Sequence, residues 1–270
     1  MGVVRMGIVG GCLSHQPGIP IKQLYHQQLA GMLTDRGITL RTLLDRSFDA
    51  RYSERLADLT DRGIDLALLH VRPMAVLENS RILVRKEQAD GNAFRINGRL
   101  WGGAFADPSM RSSHSPSAQR FAKRDGNLRS AQMFEQNPGC LGRVNLLLGF
   151  LLGLHKRVVA ETLSAIENAA DLAARNDIPL LVMGPTPYAG GTVGRWLCMQ
   201  MNDALRQRSS GRFTFVDVFT GWQLEYLFPD GLHVTQDGHA HVADRLHSAI
   251  EQILEQTTLK QDTPTAGVNA

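Results

Sequence analysis

Apolar runs of strand length alternate along the chain with segments of helical apolar spacing, and this alternation constrains the fold most strongly. Residues 64–71 are almost continuously apolar, as is typical of a strand buried on both faces of a parallel sheet. Strands separated by helices favour a sheet that is covered by helices on both faces. The sequence therefore predicts one α/β domain over residues 1–257, a three-layer α/β/α sandwich with a mostly parallel five-stranded sheet.

The predicted elements follow from these patterns. Strand-like runs occupy residues 6–9, 38–44, 64–71, 178–183 and 213–218. Helical spacing covers residues 21–33, 52–60, 143–175, 193–207 and 235–254. Residues 258–270 are predicted to form a flexible C-terminal tail. In sheets of this kind ligands bind beyond the carboxyl ends of the strands, so we expect the functional site in the segments that follow them.

A basic segment interrupts the alternation after the third predicted strand. Between Arg81 and Arg129, ten Lys and Arg residues stand against four Asp and Glu, a local surplus of six positive charges. We interpret residues 74–142, approximately, as an insertion. It leaves the sheet at the edge where ligands bind, so we expect part of it to cover the site as a lid. Its charge favours an anionic partner, such as a carboxylate-bearing substrate or the phosphates of coenzyme A.

Composition and charge argue against several classes of function. A net charge of +3 and a pI near 8.9 are too mild to predict nucleic-acid binding. Three scattered cysteines without a CxxC pair argue against a disulfide scaffold or a structural zinc site, and they suit a reducing compartment. The most apolar stretch, residues 146–154, is far shorter than the roughly 20 residues of a membrane span. The sequence therefore predicts a cytoplasmic protein that binds neither nucleic acid nor membrane, and it carries no signal for the oligomeric state.

The turn after the first predicted strand carries a candidate nucleophile. Gly10 and Gly11 allow the backbone to turn sharply and to approach a ligand closely. Cys12 follows them, and backbone N–H groups at a strand-to-helix turn favour the nucleophilic thiolate. A small buried hydrophobe is the more common role of an arbitrary cysteine. Ser14 is the alternative nucleophile, although a serine in a first helical turn is more often a cap.

A second candidate group precedes the last predicted helix. Asp230 and His233 stand three residues apart on one loop, so both can reach one cleft, where the carboxylate orients the imidazole as a general base. A turn-forming Asp and a surface His are the alternative interpretation of this pair on its own. His239 and His241 offer further metal ligands beside His233. Residues two apart on a helix face different sides, however, so we predict no metal site.

Taken together, the two segments resemble the SGNH (GDSL-type) hydrolase superfamily. The first block of that family reads Gly-Asp-Ser-Leu, and residues 10–13 read Gly-Gly-Cys-Leu. The last block reads Asp-x-x-His-x-x-x-x-Gly, which residues 230–238 match. The resemblance extends in order over most of residues 5–255. It implies an SGNH-hydrolase-like (flavodoxin-like) fold with Cys12 in the position of the family's nucleophilic serine. Similar Gly-x-Cys turns occur in SGNH-like proteins of polysaccharide biosynthesis that are regarded as acetyltransferases.

The chain departs from the family pattern where the family stabilises an oxyanion. Gly11 stands in place of the acid and is itself a candidate to contact the substrate or the oxyanion. Residues 70–74 hold no Asn where Gly-x-Asn-Asp is expected. The glycine of the second block is not evident near residues 45–47 either. Only the backbone N–H of Cys12 carries over as an oxyanion donor. Arg72, at the end of the third predicted strand, is a candidate to bind a substrate carboxylate or phosphate or to stabilise an oxyanion. If Arg72 has only a structural role, its buried charge needs a carboxylate partner.

These observations lead to an acyl-transfer hypothesis. In it, His233 deprotonates Cys12, which attacks an ester or thioester carbonyl, and the acyl group then passes to water or to an acceptor hydroxyl or amine. No cofactor is required, and an acyl-CoA or another acyl thioester is a candidate donor. A catalytically silent SGNH-fold binding protein is the alternative, favoured by the missing oxyanion donors. A nucleotide-binding flavodoxin-like domain is less favoured, because no Gly-x-Gly-x-x-Gly follows the first strand.

Overall fold

The structure, a computed structural model, describes residues 2–16, 18–45, 51–88, 91–101, 140–187, 192–209, 211–228 and 233–261. Within these residues the strands are β1 (Gly2–Val9), β2 (Ile38–Asp45), β3 (Leu66–His70), β4 (Leu83–Gln88), β5 (Gly91–Ile96), β6 (Leu180–Met183) and β7 (Thr214–Val216). The helices are α1 (Tyr25–Thr34), α2 (Tyr52–Asp61), α3 (Pro73–Asn79), α4 (Cys140–Leu151), α5 (Leu154–Arg175), α6 (Thr192–Arg208) and α7 (Gln236–Gln261). Short 3-10 turns cover Cys12–His15, Ile21–Gln23, Gly98–Trp101 and Leu224–Tyr226.

Five strands form one parallel sheet in the order β2-β1-β3-β6-β7. The strands β4 and β5 form a separate antiparallel hairpin. In this doubly wound order the chain winds in opposite directions from β1 and β3, which opens a crevice at their carboxyl ends. The predicted three-layer α/β/α sandwich with a five-stranded sheet is confirmed, and the described strands of that sheet are all parallel.

Each face of the sheet packs against its own layer of helices. In β3, Leu66 and Leu68 pack into the core formed with α1 and α7. Ala67 and Leu69 point to the other face and pack into the core formed with α2, α5 and α6. Successive side chains of a strand face opposite sides, so a central strand covered on both sides is apolar at every position. This burial explains the continuous apolar run at residues 64–71.

The observed helices differ from the predicted ones at several boundaries, including the following three. The helix predicted over residues 143–175 is two helices, α4 and α5, because Gly153 adopts a left-handed φ of 74° that interrupts helical hydrogen bonding. The helix predicted over residues 21–33 begins as a 3-10 turn, and α1 starts after Leu24 leaves the helical conformation. The last helix, predicted to end at residue 254, continues as α7 to Gln261, within the segment 258–270 that was predicted as a tail. Residues 262–270 lie outside the described residues.

The predicted insertion at about 74–142 is described in part. Its beginning belongs to α3, the helix that follows β3, and the hairpin β4–β5 and the turn Gly98–Trp101 come next. Arg99 is buried, and its guanidinium donates to Glu161 Oε2 at 2.7 Å and to Asn79 Oδ1 at 3.1 Å. These bonds tie the segment to α5 and α3. Residues 102–139 lie outside the described residues, so the predicted lid stays a prediction.

None of the described helices is long and apolar enough to cross a membrane.

Candidate active site

The glycine turn lies at the carboxyl ends of β1 and β3, where the crevice opens. Gly10 donates its backbone N–H to the carbonyl of Asp45 at 3.0 Å, which continues the pairing of β1 with β2 for one residue. The 3-10 turn Cys12–His15 follows directly, with the Ser14 N–H donating to the Gly11 carbonyl at 3.3 Å. The structure describes the backbone of Cys12 and not its side chain. Cys12 therefore begins the turn that leaves β1, as the sequence predicts.

Ser14, the alternative nucleophile, is buried and held on both of its oxygens. Only 2% of it is exposed. Its Oγ lies 2.9 Å from the hydroxyl of Tyr25, and its carbonyl oxygen lies 3.1 Å from His26 Nε2. Burial raises the pKa of the Tyr25 hydroxyl, which therefore stays protonated. These contacts anchor the turn to α1 and favour an anchoring role for Ser14, so Cys12 stays the predicted nucleophile.

Arg72 lies directly over Gly11. A methyl group built on Gly11 would overlap Arg72 Cδ and would lie 2.9 Å from Arg72 Nε. The Arg72 backbone caps α3 at the end of the segment that follows β3. The absence of a side chain at position 11 is therefore what allows the Arg72 side chain to cross the turn that carries Cys12. The structure brings together the two residues that the sequence named as substrate or oxyanion candidates.

His70 is a member of the site that the sequence analysis missed. It ends β3, it is 4% exposed, and neither ring nitrogen has a hydrogen-bond partner among the described residues. A methyl group on Gly10 would lie 3.3 Å from His70 Cβ and 3.2 Å from Ser14 Oγ, so the ring packs beside the glycine turn. Burial, assisted by the positive charge of Arg72, lowers the pKa of His70 to about 3. The sequence did offer one indication of this role, since His70 is a titratable residue at the end of a strand predicted to be buried on both faces.

His233 is held by backbone pairing at the start of α7. Leu227 and Val234 form an antiparallel bridge, and the Phe228 N–H donates to the His233 carbonyl at 2.8 Å. The His233 side chain is half-buried. Residues 229–232, and with them Asp230, lie outside the described residues, so the pairing of Asp230 with His233 stays a prediction.

Gln16 connects the two predicted catalytic segments, and the sequence analysis did not identify it. Its side-chain Nε2 donates to the Val234 carbonyl at 2.6 Å, and its Oε1 accepts the Val234 N–H at 3.0 Å. Gln16 stands four residues after Cys12, and Val234 is the neighbour of His233. The turn after β1 and the segment before α7 are therefore in direct contact. No local pattern signals a bond between residues 218 positions apart.

His239 and His241, which both lie in α7, have separate hydrogen-bond partners. His239 Nδ1 accepts the backbone N–H of Tyr25 at 3.3 Å, and His241 Nε2 lies 3.1 Å from the Val218 carbonyl. Within the described residues, no group of three or more His, Cys, Asp or Glu side chains is placed to hold a metal ion. A surface groove of about 500 Å³ between α2 and α5, lined in part by Ser53 and Arg175, contains none of the candidate residues.

The buried histidines predict a loss of stability in acid. Burial lowers the pKa of His70 to about 3, and burial with the nearby charge of His26 lowers the pKa of His239 to about 4, both from an ordinary value near 6.5. The unfolded chain therefore binds protons that the folded chain excludes, and stability falls as the pH drops below about 6.5. Each ring contributes up to about 1.4 kcal/mol per pH unit.

We expect the urea midpoint of unfolding to fall between pH 7 and pH 5, and the fall to be smaller in His70→Gln. The measurement is a series of urea titrations at fixed pH, with each variant referenced to its own midpoint at pH 7. Equal slopes in the wild type and in His70→Gln would show that His70 is not excluded from protonation in the folded state.

Three solved structures share the architecture of this chain. TesA is 12% identical with a TM-score of 0.53, over 92% of this chain and 99% of that one. A catalytic mutant of an acetylxylan esterase from Geobacillus stearothermophilus is 11% identical with a TM-score of 0.50, over 92% and 94%. The psychrotrophic esterase EstA from Pseudoalteromonas sp. is 10% identical with a TM-score of 0.50, over 93% and 98%. No family model and no curated protein sequence matches the chain. At these identities the likeness establishes a common fold, the SGNH-hydrolase-like one, over nearly the whole length.

Proposed function

We propose that this protein is an acyl-transfer enzyme of the SGNH type, an esterase or acyltransferase that forms a covalent acyl-enzyme on Cys12. The observation that carries the proposal is the contact made by Gln16, which brings the turn of Cys12 against the segment of His233. Two of the similar structures are described as esterases, which supports ester chemistry on this fold. Function depends on the residues of the site, and in this proposal Cys12 serves as the nucleophile, His233 as the base and Arg72 as the cation.

The proposed reaction has two stages. In the first, His233 takes the proton of the Cys12 thiol, and the thiolate sulfur attacks the substrate carbonyl carbon, whose π electrons move to the oxygen. The tetrahedral intermediate collapses, expels the alkoxide or thiolate of the substrate, and His233 returns its proton to that leaving group. In the second stage, His233 deprotonates the acceptor, which attacks the thioester carbonyl carbon. The resulting intermediate collapses, the C–S bond breaks, and His233 returns the proton to the Cys12 thiolate, which restores the starting enzyme. Asp230 orients the imidazole throughout.

Arg72 supplies positive charge where the oxyanion develops. Its side chain lies over Gly11, the residue before Cys12, and the Cys12 N–H offers the one oxyanion donor that carries over from the family pattern. Fixed positive charge in a partly buried site stabilises a developing oxyanion strongly, because it needs no reorganisation during the reaction. Arg72 therefore replaces, in this proposal, the side-chain donor that residues 70–74 lack.

The nucleophile and the cation restrict the substrate class. A thioester reacts with amines far more readily than an oxygen ester does, whereas the two react with water at similar rates, so Cys12 favours transfer to an amine acceptor over hydrolysis. A hydroxyl acceptor is the alternative. The donor is a small-molecule acyl ester or thioester, with an acyl-CoA as the leading thioester candidate, and Arg72 favours an anionic one. No cofactor enters the scheme. A reducing cytoplasm suits this chemistry, because an oxidised Cys12 has no nucleophilic thiolate.

A catalytically silent binding protein is the second candidate, and the missing Asn of residues 70–74 favours it. Intact mass spectrometry after incubation with p-nitrophenyl acetate or acetyl-CoA separates the two. We expect a mass increase of one acetyl group, mapped by peptide analysis to Cys12 and absent in Cys12→Ala. Cys198 is the internal control, because burial raises its thiol pKa to about 12 and keeps it unreactive. No adduct and no turnover with either donor would overturn the enzyme and favour the binding protein.

A further inference from the structure

The backbone N–H and C=O groups of Val234, the residue after His233, face Gln16. Leu227 and Val234 are opposite each other in an antiparallel bridge, and the residues that flank them make its hydrogen bonds. The Phe228 N–H donates to the His233 carbonyl, and the Thr235 N–H donates to the Tyr226 carbonyl, both at 2.8 Å. At such a non-hydrogen-bonded pair, the N–H and C=O of the central residue face away from the partner strand. The N–H and C=O of Val234 therefore need another partner, because the residue is buried.

The side-chain amide of Gln16 is that partner. It donates from Nε2 to the Val234 carbonyl at 2.6 Å and accepts the Val234 N–H on Oε1 at 3.0 Å. A carboxamide is suited to this task, because it carries one donor group and one acceptor on the same plane, as a neighbouring strand does. Gln16 itself is 4% exposed, so water does not compete for either bond.

This contact joins the segment of Cys12 to the segment of His233. On one side, the Cys12–His15 turn is anchored to α1 through the two oxygens of Ser14, and Gln16 ends that turn in an extended conformation. On the other side, the Val234 side chain is 2% exposed and packs into the core with α1 and α7. Successive side chains of an extended segment face opposite sides, so the His233 side chain faces away from that core.

We propose that Gln16 is a positioning residue. It holds the segment of His233 where the imidazole can accept the proton of the Cys12 thiol. This inference rests on the proposed function. A displacement of about 1 Å between reacting groups costs on the order of 10²-fold in rate, and a group that acts only on geometry lowers kcat more than it raises KM. Gln16 acts through the backbone of Val234 and touches no reacting atom itself.

The test compares three variants by kcat and KM on p-nitrophenyl acetate. We expect Gln16→Ala to lower kcat by about 10²-fold with KM within a few-fold of the wild type. Gln16→Glu keeps the shape and still accepts the Val234 N–H, so we expect an intermediate kcat. We expect the ratio of this kcat to the wild-type kcat at the same pH to rise at lower pH, where a protonated carboxyl can donate to the Val234 carbonyl. Asn97→Ala is the matched control, because Asn97 is a buried amide that donates to two backbone carbonyls, those of Asn79 and Arg81, each at 2.8 Å. We expect it to lose stability and to keep kcat.

A second readout does not depend on activity. We expect hydrogen exchange to show a protected Val234 amide in the wild type and local loss of that protection in Gln16→Ala, with protection of the sheet unchanged. An unchanged kcat in Gln16→Ala despite that local loss would overturn the positioning role. So would a loss of protection that extends through the whole domain, since Gln16 would then support the fold in general. A wild type that turns over no ester and forms no acyl-enzyme would overturn the proposed function instead, and the wild-type control alone reveals that case.

Discussion

Replacing His233 with alanine is expected to lower kcat by about 10³-fold, because a general base contributes roughly 10²- to 10⁴-fold to such reactions. Without His233, Cys12 has no base at the end of the segment that Gln16 holds against its turn. We expect KM to change little, since the imidazole acts mainly in proton transfer. Initial rates on p-nitrophenyl acetate, together with the rate of acyl-enzyme formation by intact mass spectrometry, measure the effect.

Two controls separate chemistry from structure in this variant. Added imidazole should restore part of the lost rate in His233→Ala in proportion to its concentration, which a merely structural defect would not show. His247→Ala is the matched control: His247 lies in α7, the helix that follows His233, and it is half-buried with its Nδ1 3.5 Å from Glu251 Oε2. A His233→Ala variant that keeps a tenth or more of the wild-type kcat would exclude His233 as the base.

Displacing Arg72 is expected to lower kcat on the order of 10²-fold, the typical effect of removing one oxyanion-stabilising group. Arg72→Leu removes the charge. Gly11→Ala leaves the charge in the chain but fills the space that the Arg72 side chain occupies, so that side chain must leave the turn. We therefore expect the two single variants to have similar kcat values, and the double variant to lose no more than Arg72→Leu alone.

The double-mutant cycle requires controls for charge and for glycine. Arg72→Lys retains a cation without the planar fork, and we expect it to lie between the wild type and Arg72→Leu. Gly31→Ala, in α1, has open space around the added methyl group and a helical backbone, so we expect no loss of activity and a small gain in stability. Multiplicative losses in the double variant would show that Gly11 and Arg72 act independently.

Much of the fold could be predicted from the sequence, because the patterns that indicate strands and helices extend over only a few residues. The apolar run at residues 64–71 predicted a strand buried on both faces, and β3 is that strand, with Leu66 and Leu69 facing opposite cores. The same kind of pattern located the five strands of the sheet. Helix ends were harder to predict. Gly153 divides a continuous helical pattern into α4 and α5, because glycine adopts the left-handed conformation about as readily as the right-handed one, and the pattern does not show which of the two it takes.

The sequence predicted the segments of the candidate site separately, but not the contacts between them. The sequence identified Cys12, Arg72 and His233, because each follows or precedes an element at the ligand-binding edge of a parallel sheet. It interpreted Gly11 as a turn residue that stands in place of the family's acid. The structure shows why a side chain is absent there, since Arg72 crosses the position from another strand's end. Which residue fills a vacated space depends on chain segments that are adjacent only after folding.

What the sequence by itself determined about this protein is the order of its elements, its α/β class and the residue types placed at one edge of the sheet, since periodicity and turn residues act over a few positions. Only the tertiary structure decided how those residues work together. Burial of the His70 side chain lowers its pKa, and the bond from Gln16 to Val234 joins residues 218 apart in sequence. Desolvation and hydrogen-bond partners are properties of the packed interior, and no local pattern encodes them.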